Sequence, residues 1–177
     1  MKTIFTSLLV VLFVTLGYSQ EVKYGVRAGL TISNLDYKDT PIVRNPHRNG
    51  FLFGVHADIG LTEQFSIMPE LQFSPEGAGV EDFANDYLNL PVLFKYAMFD
   101  GRVALGVGPQ AGLKIHKEGD GFKNFVFSGV GIIEFKVCED WYVDARYNYG
   151  FSNVFDDDLS PEATNNVIQI GVNFRVF

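Results

Sequence analysis

Apolar and polar residues alternate one by one through most of this chain. Residues 65–74 read FSIMPELQFS, with the apolar residues mostly on one parity and the polar residues on the other. Successive side chains of a β-strand point to opposite faces, so this pattern predicts a strand with one apolar and one polar face. The alternation recurs in seven further segments, residues 23–32, 51–60, 88–98, 103–113, 125–137, 141–149 and 168–176. The chain is therefore predicted to be all-β, with eight strands.

The connections between these segments are short and long in turn. Short turns occupy residues 61–64, 100–101 and 138–140, and long polar loops occupy residues 34–50, 75–86, 114–124 and 152–165. The pair Asp100-Gly101 is a strong hairpin signal. Segments of about 9 to 12 residues also have the length with which a tilted strand crosses a bilayer. These features predict an eight-stranded antiparallel up-and-down transmembrane β-barrel with short periplasmic turns and four longer extracellular loops.

Charged residues indicate which face of the predicted strands lies inside. Both signs of charge occur on the polar parity, which predicts a structural ion-pair network in the lumen formed by Arg27, Asp58, Glu70, Lys95, Glu134, Asp144, Arg146 and Arg175. An eight-stranded barrel has an interior that side chains just fill, whereas aqueous channels need about 16 strands. The network is therefore predicted to plug the lumen rather than to line a selective pore. The alternative is a soluble periplasmic barrel that turns its apolar parity inward around a ligand.

Aromatic residues mark both ends of the predicted barrel. The expected girdles contain Phe65, Phe99 and Trp141 near the turn end, and Phe73, Tyr87, Tyr149 and Phe151 near the loop end. Aromatic side chains are enriched where a membrane protein crosses the two membrane–water interfaces. The continuous apolar parity is therefore expected to contact lipid.

Two prolines, Pro69 and Pro91, lie inside predicted strands. Proline has no N–H group to donate, and a closed barrel offers no edge strand to accommodate it. We expect a bulge or a locally opened ladder at each proline. Gln72, Asn89 or water in the lumen is expected to satisfy the carbonyl group that the proline leaves without a donor.

The first residues predict export from the cytoplasm. Lys2 precedes an apolar run over residues 4–16, and small or polar residues follow at 17–19, which is the layout of a secretory signal peptide. The run is shorter than the roughly 20 residues of a membrane-spanning helix. We expect a signal peptide at residues 1–19 and one outer-membrane barrel domain at residues 20–177. Cys138 is the only cysteine, and the net charge of −7 argues against a nucleic-acid partner.

Residues suited to catalysis or metal binding are few. His56 and Asp58 share the predicted lumen face, so a membrane-embedded hydrolase or acyl-modifying enzyme using His56 is one alternative, and a hydrogen-bonded lumen histidine is the favoured interpretation. Asp156, Asp157 and Asp158 are candidate Ca²⁺ ligands, but they lack the spacing and glycine of an EF-hand loop. We therefore expect no enzymatic activity, no cofactor and no metal site.

Several stretches carry a resemblance to a known family. FSIMPELQFSPEGAG, YLNLPVLFKY, GVGPQAGL, DARYNYGFSNV and IQIGVNFRVF resemble segments of PorT-like outer-membrane β-barrel proteins, the "porin family" of Bacteroidetes-type bacteria. The resemblance implies an eight-stranded barrel in the outer membrane and, through PorT itself, a link to protein secretion by the type IX system. The expected partners are outer-membrane lipid and lipopolysaccharide, with a secretion-system or surface protein bound through the long loops.

Overall fold

Eight strands form the whole of the described structure apart from turns and loop segments. The computed structural model describes residues 21–37, 46–79, 84–115, 121–155 and 162–176. The strands are β1 (Val22–Tyr37), β2 (Arg48–Gly60), β3 (Phe65–Gly77), β4 (Ala84–Met98), β5 (Val103–Lys114), β6 (Phe125–Lys136), β7 (Trp141–Gly150) and β8 (Ala163–Val176). Each strand pairs antiparallel with the next, and β8 pairs with β1 to close the barrel. The predicted up-and-down barrel is confirmed.

The alternation of residues separates an apolar outer surface from a polar lumen. Outward side chains such as Leu30, Phe51 and Ile170 are 53%, 78% and 55% exposed. Inward neighbours on the same strands are buried, with Arg27 and Gln169 each 1% exposed. A water-soluble barrel would have the opposite arrangement, because the hydrophobic effect removes apolar surface from water. The soluble, ligand-binding alternative is therefore wrong.

Most of the predicted girdle residues lie on the outer surface. The girdle residues between 49% and 72% exposed are Phe65, Phe99, Trp141, Tyr149 and Phe151. Phe73 is half-buried because its ring stacks on Phe53, with ring centroids 5.2 Å apart. The prediction that Tyr87 belongs to the outer girdle is wrong, since this residue is 1% exposed and lies in the lumen. It shares its parity on β4 with the inward residue Asn89.

The strands extend further toward the loops than the hydrophobic pattern predicted. β1 continues to Tyr37 and pairs there with Ala163 of β8, within segments that were expected to be loops. Outward positions of this extension are polar, as at Asp36 and Thr164, so apolar alternation ends before the strand does. The turn between β4 and β5 also differs from the expected pair Asp100-Gly101. It spans residues 99–102, and Arg102 N donates to Phe99 O at 3.2 Å.

Each proline interrupts the hydrogen-bonded ladder on one side of its strand while the register is kept. The β2–β3 ladder lacks the pair opposite Pro69, the β3–β4 ladder lacks that opposite Pro91, and the β4–β5 ladder lacks that opposite Pro109. The expected opened ladder is therefore confirmed, and the alternative of a bulge is wrong. Pro109 was not foreseen as part of this pattern.

The carbonyl groups opposite the three prolines receive no N–H from them. Neither predicted side chain compensates: Asn89 Nδ2 donates to Glu76 Oε1, and Gln72 Nε2 has no hydrogen-bond partner among the described residues. Gly108 permits a close approach instead, because a Cβ there would lie only 1.9 Å from Val92 O. The Val92 carbonyl, which faces Pro109, thus contacts the backbone of Gly108, as in the Cα–H···O contacts common in sheets.

Two of the predicted features lie outside the described residues. They are the signal peptide at residues 1–19 and the acidic run Asp156, Asp157 and Asp158. In the part of the chain that the structure describes, no helix is long and apolar enough to cross a membrane.

Candidate functional site

The lumen contains all eight charged residues of the predicted network, and the structure brings them together as two rings. Each ring has two cations and two carboxylates that alternate in sign. The central ring consists of Arg27, Glu70, Asp144 and Arg146. The turn-end ring consists of Asp58, Lys95, Glu134 and Arg175.

The central ring is closed around Asp144. Arg27 donates from Nε and Nη2 to the two carboxylate oxygens of Asp144, at 2.9 and 2.6 Å. Arg146 Nε lies 3.2 Å from Asp144 Oδ1, and Arg146 Nη1 donates to Glu70 Oε2 at 2.8 Å. Glu70 Oε1 lies 4.0 Å from Arg27 Nη1 and completes the ring. All four side chains are at most 1% exposed.

The turn-end ring follows the same alternation nearer to the short turns. Lys95 Nζ lies 2.7 Å from Asp58 Oδ2 and 3.3 Å from Glu134 Oε1. Arg175 Nη1 lies 3.1 Å from the same Asp58 oxygen, and Arg175 Nη2 also pairs with Glu134. The Arg175 guanidinium stacks 3.8 Å from the centre of the Tyr142 ring, a cation–π contact.

The two rings remove eight charges from water without leaving a net charge in either. Burying an unpaired ion costs several kcal/mol, and the alternating geometry offsets this by giving every ion neighbours of opposite sign. Amide side chains add to the central ring: Gln72 and Gln169 accept from Arg27 Nη1 at 2.9 and 3.1 Å, and Asn173 donates to Asp144. The arrangement fills the lumen with fixed side chains that hold each other in place.

A second polar layer, which the sequence reading did not identify, lies toward the loops. Glu76 is buried, and its carboxylate accepts hydrogen bonds from Asn89 Nδ2 at 2.6 Å and Asn165 Nδ2 at 2.5 Å. Ser33 Oγ donates to Asn165 Oδ1 and accepts from Gly77 N. Glu76 shares its parity with Glu70, so extending the alternation beyond Pro75 was the signal that could have placed it inside.

Apolar side chains also occupy part of the lumen. One buried cluster consists of Met68, Leu93, Val130 and Ile132. A second closes the loop end and is called the apolar cap here; it consists of Leu35, Ala78, Phe122, Val154, Phe155 and Ala163. The cap joins three loop segments to β1 and β8, and the rings of Phe122 and Phe155 lie 4.9 Å apart. The lumen is thus occupied from the turn-end ring to the cap.

His56 lies in this lumen but lacks the partners of a catalytic histidine. It is 4% exposed, and neither ring nitrogen has a hydrogen-bond partner among the described residues. Glu70, which faces it on β3, binds Arg146, and Asp58 binds Lys95 and Arg175. A general base needs an orienting acid and a nucleophile within hydrogen-bond reach. The described residues also contain no cluster of three or more His, Cys, Asp or Glu side chains able to hold a metal.

Comparison with known proteins places this geometry in a family. Residues 5–175 match the family described as "Outer membrane protein beta-barrel domain". Among solved structures, Ail of Yersinia pestis is 13% identical with a TM-score of 0.54, over 88% of this chain and 99% of Ail. Neisserial surface protein A is 11% identical with a TM-score of 0.57, over 88% of this chain and 99% of its own.

Ail has also been solved in complex with the heparin analogue sucrose octasulfate, at 13% identity and a TM-score of 0.53, over 88% of this chain and 99% of Ail. No curated protein matches this chain. At these identities the solved structures support the shared barrel fold, and the family match covers nearly the whole chain. The protein therefore belongs to the outer membrane protein beta-barrel family, and its barrel lies in the outer membrane.

Proposed function

We propose that this protein is a non-enzymatic outer-membrane barrel with a closed lumen, which acts in envelope structure or presents its loops to a partner. The observation that carries the proposal is the occupation of the lumen, level by level, by two alternating charge rings, a polar layer and the apolar cap. An ion entering this lumen would have to displace side chains that pair with one another. A small barrel built in this way is stable in the membrane through its own contacts, and its loops remain available to bind a partner.

Conduction is disfavoured by charge as well as by space. Selective pores use rings of charged side chains of one sign or rings of backbone carbonyls, which bind an ion favourably but weakly enough to release it. In the central ring each cation lies beside a carboxylate, so neither an anion nor a cation gains a favourable site. We therefore favour a plug over a selective pore.

The test is single-channel recording of the folded protein in planar lipid bilayers. We expect no stepwise current above the leakage of the bilayer, while a 16-stranded porin reconstituted in parallel gives open-channel steps. Folding is checked on the same sample by its faster migration on SDS gels when unboiled. Reproducible, ion-selective steps from the folded protein that vanish after boiling would contradict the closed lumen.

The partners that suit this barrel are outer-membrane lipid, lipopolysaccharide and a protein bound at the loops. The PorT-like strand segments support a secretion-associated or surface protein as the loop partner. The apolar cap supports presentation of the loops as one folded unit, because it ties the β3–β4, β5–β6 and β7–β8 loops together. The net charge of −7 argues against a sulfated polyanion of the kind found with Ail.

An enzyme using His56 is the alternative that the structure favours least. The ring nitrogens of His56 have no hydrogen-bond partner among the described residues. The carboxylates of Glu70 and Asp58 are bound to arginine or lysine. We propose instead that His56 is a space-filling lumen residue. A Cβ at Gly25 would lie 2.5 Å from His56 Nε2, so the glycine makes room for the imidazole.

A further inference from the structure

The polar layer toward the loops contains a buried carboxylate that forms no ion pair with another described residue. Glu76 is 3% exposed. Its carboxylate accepts hydrogen bonds from the amide groups of Asn89 at 2.6 Å and Asn165 at 2.5 Å. Arg48 lies nearby, but it donates to the backbone carbonyl of Glu76 and pairs with Asp86. Every carboxylate of the two charge rings, in contrast, lies beside a cation.

The layer lies directly beneath the apolar cap. Three of its residues are each two positions along the chain from a cap residue, in the pairs Ser33–Leu35, Glu76–Ala78 and Asn165–Ala163. Side chains two positions apart in a strand share a face, so each pair points into the same lumen. A change in the charge of Glu76 therefore acts next to the three segments that carry these cap residues.

Both the layer and the cap lie beyond the lipid-facing surface. Pro75, the residue before Glu76, pairs with Asp86 of β4, so a charged side chain occupies an outward position there. On β1, the outward residue Asp36 pairs with Thr164 of β8. Charged side chains on the lipid face of a barrel are destabilising within the hydrocarbon. Glu76 is therefore outside the membrane-spanning part of the barrel, on the loop side.

A small cavity adjoins the carboxylate. It has a volume of about 10 Å³, and its lining includes Glu76, Gln110 and Asn148. A cavity of this volume holds about one water molecule. Asn148 is 2% exposed, and both polar atoms of its amide group lack a hydrogen-bond partner among the described residues. Water can satisfy a donor and an acceptor together, whereas a hard metal ion binds only oxygen. Water therefore suits the cavity better than a metal ion, and the charge of Glu76 is left for a proton to neutralise.

Burial of Glu76 makes its ionised form unfavourable. Removal from water raises the pKa of the carboxyl group from 4.5 to about 7, while hydrogen bonds from Asn89, Ser74 and Asn165 and the charge of Arg48 act in the opposite direction. Opening of the cap would let water reach the carboxyl group, and its pKa would return toward the ordinary value. The closed cap thus binds this proton more tightly than the open cap.

Other charged or titratable groups surround the cap. His47 pairs with Ala78 through an isolated bridge and is exposed to water, and Lys114 of β5 donates to Phe122 O at 3.0 Å. Histidine is the side chain that ordinarily titrates near neutrality, so His47 needs a control. The remaining described groups near this level are Asp36 and Tyr37 of β1, Arg48 of β2, Asp86 and Tyr87 of β4, Lys123 of the β5–β6 loop, Tyr149 of β7 and Glu162 before β8.

We propose that Glu76 is a pH switch for closure of the apolar cap, in which the protonated side chain holds the cap closed and loss of the proton loosens it. Because the closed form binds more protons than the open form, the stability of the cap is greatest below pH 4.5. It falls as the pH rises from 4.5 to about 7, and it changes little above that range. The switch goes beyond the proposed function, since it operates whether or not the lumen conducts or the loops bind a partner.

The test is hydrogen exchange of the folded full chain in detergent micelles between about pH 5 and pH 8, corrected for the intrinsic effect of pH on exchange. The reporters are amides that join the cap segments: Lys123 N donates to Val154 O, and Val154 N donates to Ala163 O, both at 2.9 Å. We expect their protection factors to fall about tenfold or more over this range, since one unit of pKa difference changes the equilibrium tenfold. Amides in the membrane-spanning part of β7 should change little.

Glu76→Gln keeps the shape of the side chain but cannot titrate, so it should abolish this pH dependence. His47→Gln is the matched control and should retain it. Both variants should migrate faster on SDS gels when unboiled, like the unaltered protein. Equal pH dependence in Glu76→Gln and the unaltered protein, or its loss in His47→Gln, would overturn Glu76 as the switch.

A second measurement uses the unaltered protein alone. The carboxyl carbon of Glu76 is followed by ¹³C NMR as the pH is changed, and we expect a midpoint near 7. A midpoint near the ordinary 4.5 would overturn the proposal. Protection factors of the cap amides that stay constant between about pH 5 and pH 8 would also overturn it.

Discussion

Asp144 is the residue on which the central ring depends most. It accepts two hydrogen bonds from Arg27 and one from Asn173, and it lies 3.2 Å from Arg146. Asp144→Asn keeps the shape but leaves both arginines buried with one carboxylate between them. Removing one partner of a buried ion pair costs about 3–5 kcal/mol. We expect this loss in the free energy of unfolding, measured in urea through the fluorescence of Trp141, the only tryptophan.

The control for Asp144→Asn is an ion pair at the surface of the same barrel. Lys23 Nζ lies 3.0 Å from Glu21 Oε1, and both side chains are largely exposed, at 43% and 75%. Exposed pairs contribute about 0–1 kcal/mol, so Lys23→Gln should change the unfolding midpoint little. Equal shifts for the two variants would mean that the central ring is no more stabilising than a surface contact.

At the residue scale the sequence predicted which charged residues belong to the lumen network, but not which of them pair with one another. Parity along each strand places Arg27, Asp144 and the other charged residues on the inner face, because the side-chain period of a strand is fixed. Partners across a lumen depend on the stagger of all eight strands, which no single strand encodes. The apolar lumen residues Met68 and Leu93 were missed as a cluster for the same reason. On the inner face of its own strand, Met68 lies between Ser66 and Glu70, and Leu93 lies between Pro91 and Lys95.

At the element scale, Gly108 is the glycine of β5 that leaves the least room for a side chain against β4. A Cβ at Gly108 would lie 1.9 Å from Val92 O, a distance that forces the strands apart. Overpacking of this kind costs about 1–3 kcal/mol, and here it also disturbs the contact that compensates for Pro109. Gly108→Ala should therefore lower the temperature at which the folded band on SDS gels converts to the unfolded band.

Gly131→Ala is the matched control for that change. It makes the same substitution on the next strand, but the added methyl group meets nothing within 4 Å. We expect its conversion temperature to stay close to that of the unaltered protein. If both substitutions lower it equally, the loss of glycine itself, rather than the approach of β4 and β5, sets the effect.

Strand number and order were predictable, whereas strand ends were not. Alternation of apolar and polar residues identifies a strand only where one face meets lipid and the other does not. The predicted segments therefore end near the edge of the lipid-facing surface. β1 and β8 continue beyond it with polar residues on the outside, as at Asp36 and Thr164, and apolar residues such as Leu35 inside. There the alternation reverses, because the strands have left the membrane and cover the apolar cap.

At the scale of the whole molecule, two structural units with different solvents share the same strands. The membrane-spanning part of the barrel is stabilised by lipid outside and by paired charges inside. The apolar cap is a small water-facing hydrophobic core at the loop end. Phe155 contacts Phe122 and Tyr37, with ring centroids 4.9 and 6.3 Å apart, and it is 6% exposed. The cap contains none of the ring residues, so it should be possible to loosen the loops without opening the barrel.

Phe155→Ala tests this separation. Truncating a buried phenylalanine costs about 3–5 kcal/mol, which is large for a cluster of six buried residues. We expect limited proteolysis of the reconstituted protein to cleave the loop segments several times faster, while the unboiled sample keeps its fast migration on SDS gels. Leu30→Ala, at an outward position that faces lipid, should leave cleavage unchanged. If Phe155→Ala abolishes the fast-migrating band, the cap and the barrel form one cooperative unit, and the loops cannot reorganise around a partner without unfolding the barrel.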